Sequence, residues 1–201
     1  MSYIIKASSV TNLTDARYFA AKTVDYLGFN IEAGNPTYID PIYVKAIREW
    51  VEGPGIVAEL SSVSGPVLNE TAAFYGFDAV QTTNAAILSE LTTPALLQVV
   101  ISPEMDMDAI RGTFQQTHAF VRHFILDWAT HNVDWSSQAH FWRDICSKYP
   151  ILLHLNGRAD DIVGALNETG AAGLSLIGGE EERVGVKSFD ELDDIFDLLN
   201  R

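Results

Sequence analysis

Residues 3–31 read YIIKASSVTNLTDARYFAAKTVDYLGFNI: an apolar run, an amphipathic stretch opened by Thr14 and Asp15, and a second apolar run. Short runs rich in Ile, Val, Leu, Phe or Tyr read as buried strands, and the longer amphipathic segments between them as helices. The turn after the first run is Ser8-Ser9-Val10-Thr11-Asn12, without the G-x-G-x-x-G glycines that let a dinucleotide pyrophosphate approach the backbone. That argues against an open, doubly wound sheet. Working outward, the same alternation runs to the C-terminus. Strands are expected at 3–10, 26–31, 55–60, 79–82, 96–101, 123–128, 151–156 and 173–177, and helices at 15–22, 41–52, 66–75, 84–91, 105–117, 135–149, 159–169 and 189–199. Asp40 before Pro41, Ser64 before Pro66, and Ser188 with Glu191 as a capping box mark three of the helix starts. The segment 84–91 is the shortest and stops at Thr92-Thr93-Pro94. Eight pairs imply parallel strands joined by right-handed crossovers, the number that closes an α/β, single-domain (β/α)8 TIM barrel over residues 1–201.

The chain has 13 Lys and Arg against 27 Asp and Glu, a formal charge of −14, and no basic run, so it would repel a phosphodiester backbone. Nucleic acid is therefore excluded as a partner. The N-terminal sequence lacks a signal-peptide pattern, and nowhere are there 18 consecutive apolar residues; a soluble, cytoplasmic protein with no membrane partner is expected, as monomer or homodimer. A single cysteine, Cys146, rules out an intrachain disulfide. The five histidines have no H-x-x-x-H or H-E-x-x-H spacing, so neither a metal nor another cofactor is expected.

In such a barrel chemistry belongs to the C-terminal strand ends. Asn156-Gly157 and Gly178-Gly179 follow the seventh and eighth strands, where backbone N–H groups hold phosphate in many barrels; the plain alternative is that they are turn glycines. Lys187 or Arg158 would add charge. Asp127 ends the sixth strand, as a general acid or base or as a helix cap. His154 is a catalytic imidazole or, more commonly for such a residue, a hydrogen-bonded core histidine. Lys6 and Ser8 share a strand face, expected to be the lumen. There Lys6 would bind phosphate, carboxylate or carbonyl, or pair with Asp127 or Glu32. Trp128, Trp135, Phe141 and Trp142 read as helix-to-barrel packing, and the acidic run 179–182 as a solvated loop.

These residues resemble the phosphoribosylanthranilate isomerase family. The first-strand signature of that family is similar to Lys6-Ala7-Ser8-Ser9-Val10-Thr11-Asn12 with Asp15-Ala16. Further matches are Val24-Asp25-Tyr26-Leu27-Gly28-Phe29, Asn35-Pro36-Thr37-Tyr38-Ile39, Ala79-Val80-Gln81, Leu126-Asp127, and Gly179, Glu181, Gly185 and Lys187. The resemblance spans essentially the whole chain. It implies a cofactor-free Amadori rearrangement of an aminoaldose phosphate, with a first-strand cysteine as general base and a sixth-strand aspartate as general acid. It further implies an arginine after strand two on the anthranilate carboxylate and glycine-rich loops on the phosphate. The aspartate is Asp127. The cysteine position is Ser8, followed by Ser9 instead of glycine, and the arginine position is Thr37. A serine hydroxyl is un-ionised at neutral pH and a far weaker base than a thiolate.

A small phosphorylated ligand is expected, with Asp127 and Ser8 as the catalytic pair. Lys6, Thr37, Gln81, His154, Asn156, Gly157, Gly178 and Gly179 are the expected binding residues. The ancestral isomerisation is expected to be lost or redirected. The alternative is an active isomerase of tryptophan biosynthesis using Asp127 and a substitute base.

Overall fold

The computed structural model describes residues 3–178, 181–183 and 186–200 of the 201-residue chain. Eight parallel strands close a barrel in sequence order: β1 (Ile4–Ser8), β2 (Tyr26–Asn30), β3 (Gly55–Glu59), β4 (Ala79–Thr82), β5 (Ala95–Val100), β6 (His123–Asp127), β7 (Ile151–His154) and β8 (Gly173–Ile177). β1 pairs with both β2 and β8, which leaves the barrel itself without an edge strand. The (β/α)8 expectation holds, and β4 and β8 match their expected bounds. β5 keeps its expected length but is shifted one residue towards the N-terminus, and the remaining strands are trimmed by one to three residues, mostly at their C-terminal ends, where the chain leaves the ladder to form loops.

The crossovers are α1 (Leu13–Ala21), α2 (Pro41–Arg48), α3 (Gly65–Tyr75), α4 (Met107–Thr117), α5 (Ala139–Lys148), α6 (Ala159–Thr169) and α7 (Asp190–Leu199). α1 starts earlier than Thr14-Asp15 suggests, because Asn12 is the cap: its side chain accepts from the Asp15 backbone N–H at 2.9 Å. Asp40 caps α2 as expected, accepting from the Ile42 N–H at 2.8 Å. The fourth crossover is a 3₁₀ helix, Ala85–Glu90, rather than an α-helix. Few residues separate β4 from Pro94, and the longer rise per residue of a 3₁₀ turn spans the barrel wall with them. Residues 135–149 divide into a 3₁₀ turn, Ser136–Gln138, followed by α5. The capping box before α7 does not form: Phe189 is the cap residue, and Ser188 Oγ accepts from the Asp190 N–H. Part of the expected acidic loop is instead a short antiparallel hairpin, β9 (Glu181–Arg183) with β10 (Val186–Lys187).

Apolar side chains fill two compartments. Between barrel and helices lies a continuous shell that includes Phe19, Phe29, Leu97, Phe114, Phe124 and Leu126. Trp128 and Trp142 belong to it, with Trp135 stacked on Trp128 at 5.7 Å, as helix-to-barrel packing requires. Inside the barrel, Val57, Ala79, Leu96, Ile125 and Leu152 form a smaller cluster against Ile4 and Tyr26. Above that cluster the lumen turns polar. Lys6 is fully buried there, its Nζ 2.5 Å from Glu59 Oε1 and 2.6 Å from Ser8 Oγ. The strand between them carries Gly28, and a Cβ at that position would run into Glu59 Oε1 and Lys6 Nζ. The glycine is thus the space in which the pair sits.

Removing one member of a buried ion pair leaves an uncompensated charge, whereas replacing both by apolar groups is far less costly. Lys6→Met and Glu59→Leu should each lower stability by about 3–5 kcal/mol. In urea unfolding the double variant should lose much less than their sum; additive losses would show that the two groups do not depend on one another. Cys146 is buried on α5, and burial pushes its thiol pKa up to about 12. A thiol reagent at pH 8 should leave the native protein unlabelled and label it fully in denaturant.

Candidate functional site

The polar upper lumen opens at the C-terminal strand ends into a cavity of about 290 Å³. Its walls include Ser8, Glu32, Thr37, Glu59, Gln81, Gln98, Asp127, Thr130, His154 and Ser175. A second hollow of about 700 Å³ adjoins it between the β7 and β8 ends, α6 and α7, and shares His154, Ser175 and Ile177 as lining.

Two hydrogen-bond networks organise the first cavity. On the β1 side, Lys6 donates to Glu59 and Ser8, and Ser8 Oγ lies 2.7 Å from Ser175 Oγ. Burial holds the Lys6 pKa below the ordinary lysine range, against the opposing pull of Glu59. The Glu59 carboxylate also accepts from the Ser9 backbone N–H and, at 3.2 Å, from Ser9 Oγ. Ser9 has φ +52°, a left-handed conformation uncommon for a residue with a side chain. The family resemblance puts a glycine there. The bonds to Glu59 hold the serine in it.

On the opposite side Asp127, 1% exposed, accepts from Thr130 N (3.0 Å), Thr130 Oγ1 (2.7 Å) and Gln98 Nε2 (2.7 Å). Gln98 Oε1 in turn accepts from Gln81 Nε2 at 2.8 Å. An ionised carboxylate is acceptor-only, so it fixes the orientation of both amides. Gln81 Oε1 is left buried with no hydrogen-bond partner.

The sequence expectations divide accordingly. Ser8, Thr37, Gln81, Asp127 and His154 all line the first cavity, while Asn156 and Gly157 line the second. Lys6 does not line either one, and its partner is Glu59 rather than Asp127 or Glu32. It is a buried cation engaged with Glu59 and Ser8 beneath the cavity lining. Thr37 is tied into a turn, its N–H and hydroxyl both donating to Asn35 Oδ1 at 2.9 Å. His154 Nδ1 donates to the Ser175 carbonyl at 2.8 Å, which in the neutral ring leaves Nε2 as an acceptor. Gly157 takes φ +152° before α6; Gly178 follows β8 and is part-buried. Gly179 lies outside the described residues. Glu59, Gln98 and Ser175 were not among the expected binding residues. Each is a polar residue at lumen parity within an apolar strand (GIVAE, ALLQVV, GLSLI), and that was the signal available for them.

No sequence-family model matches the chain. It is 22% identical over 223 residues to N-(5′-phosphoribosyl)anthranilate isomerase from Gloeothece citriformis, covering 98% of this chain and 94% of that one. The phosphoribosylanthranilate isomerase of Thermotoga maritima superposes with a TM-score of 0.81 at 17% identity, over 100% of this chain and 99% of the other. A phosphoribosylanthranilate isomerase in complex with reduced 1-(o-carboxyphenylamino)-1-deoxyribulose 5-phosphate gives 0.79 at 19% identity, again over 100% and 99%. The structural likeness establishes the shared barrel, and the sequence relationship runs through nearly its whole length. Over nearly its whole length the chain is thus similar to phosphoribosylanthranilate isomerases, and it shares their barrel.

Proposed function

We propose that this barrel binds a small phosphorylated ligand at the C-terminal strand ends and has lost the ancestral Amadori isomerisation. The environment of Ser8 carries the reading. The resemblance implies that a thiolate at this position takes a proton from carbon. Here a hydroxyl oxygen already accepts a hydrogen bond from the Lys6 ammonium at 2.6 Å and meets Ser175 Oγ at 2.7 Å. An oxygen accepting from an ammonium is less basic than a free hydroxyl, which is itself un-ionised at neutral pH. The anthranilate carboxylate would find Thr37 where the resemblance implies an arginine, and a bidentate, charge-assisted contact is lost with it.

For the phosphate, the second hollow supports the assignment. Gly157 precedes an α6 N-terminus that has no side-chain cap, so backbone N–H groups there are open to an anion. The structurally similar isomerase in complex with a deoxyribulose 5-phosphate derivative motivates a phosphorylated ligand here. Asp190 and Glu191 also line this hollow, so a phosphate would rely on backbone donors rather than on net charge.

Retention of Asp127 favours the second reading, an active isomerase with a substitute base. Replacing a general base costs about 10²–10⁴ in rate, so the assay must reach that far. Turnover of phosphoribosylanthranilate, followed by anthranilate fluorescence, should not exceed that of Asp127→Asn; Asp127-dependent turnover would establish the second reading instead. Millimolar ribose 5-phosphate should raise the melting temperature, because a ligand bound only to the native state stabilises it. An unchanged melting temperature would remove the phosphate from the account.

A further inference from the structure

We propose that the first cavity selects a ligand whose non-phosphate end carries a protonated aliphatic amine, an amino sugar phosphate rather than an aryl carboxylate. This rests on the phosphorylated-ligand reading above and names the chemistry of the ligand's other end.

The charge around the cavity points this way. Glu32, Glu59 and Asp127 contribute carboxylates to its lining, and among the described residues neither Lys nor Arg contributes to it. Lys6 lies beneath the lining and pairs with Glu59, and among the described residues no cation pairs with Glu32 or Asp127. Glu32 Oε2 accepts from the Ser61 N–H at 2.9 Å, which fixes this carboxylate on the cavity wall. A carboxylate-bearing ligand would meet like charge there, with no guanidinium to offset it.

The polarity of the hydrogen bonds points the same way and is an independent observation. The relay from Asp127 through Gln98 to Gln81 ends on Gln81 Oε1, an acceptor with no partner on a side chain that lines the cavity and is 6% exposed. A buried acceptor of this kind calls for a donor. His154 Nδ1 is engaged with the Ser175 carbonyl, so the neutral ring too offers this cavity an acceptor. An ammonium supplies three donors and the opposite charge in the volume of one hydroxyl.

Four sugars separate the two halves of the ligand: glucosamine 6-phosphate, glucose 6-phosphate, glucosamine and glucose, each titrated calorimetrically into the native protein near pH 7. The phosphorylated amine should bind about tenfold or more tighter than glucose 6-phosphate, since it adds a charge-assisted hydrogen bond. Glu32→Gln, at a part-exposed position where folding should be unaffected, should erase most of that preference. Equal affinity for the two sugar phosphates would overturn the amine assignment and leave the phosphate reading standing. Glucosamine binding as tightly as its phosphate, with glucose weaker, would support the amine assignment and overturn the phosphate reading. Binding of none of the four would overturn both.

Discussion

The buried pair between Lys6 and Glu59 is the constraint around which the upper lumen is arranged. It joins β1 to β3 across Gly28 of β2, the one position between them where no side chain competes for the space. Both ends of the pair reach further. Lys6 holds Ser8, and through it Ser175 on β8; Glu59 holds the left-handed Ser9 that starts the first loop. A charge pair in a low-dielectric interior is costly to form and more costly to break, so its value lies in fixing one arrangement of the groups around it. The consequence for chemistry is direct. The first-strand hydroxyl is committed to the network before any ligand arrives.

The second network has the opposite character. Asp127 collects three donors from Thr130 and Gln98, and the amide chain ends on an open acceptor. One side of the cavity is therefore closed upon itself and the other asks for donors. The barrel is like that of the similar isomerases, and among the described residues no lining cation offsets Glu32 and Asp127. The largest departures from the family resemblance, Ser8, Ser9 and Thr37, all fall at this mouth. The strands beneath it keep the apolar pattern that closes the barrel.

Much of the fold was legible because strand and helix periodicity are local properties. The eight apolar runs, the Asp40 and Ser64 starts and the seventh helix all follow from short-range pattern. What escaped the sequence depended on distant partners. The cap on α1 is Asn12 because its side chain reaches the Asp15 N–H, a choice among neighbouring polar residues that pattern alone leaves open. The site shows the same division. Parity put Lys6 and Ser8 in the lumen, but the partner of Lys6 is 53 residues away on β3, and strand-end position gave Asp127 and Glu32 equal claims to it. Glu59 and Gln98 are polar residues inside apolar strands. Their roles follow only from the closed barrel, which brings β3 beside β1's side chains and β5 beside β6.

The central claim is a pattern of protons: a charged Lys6 donating to Ser8, an unprotonated Asp127 accepting from Gln98, and a bare Gln81 oxygen facing the cavity. Neutron diffraction from deuterated crystals at neutral pH observes these positions directly. The account predicts three deuterons on Lys6 Nζ, none on Asp127, and Gln98 Nε2 directed at the Asp127 carboxylate. A deuteron on Asp127 with the Gln98 amide reversed, or a neutral Lys6 accepting from Ser8, would contradict it.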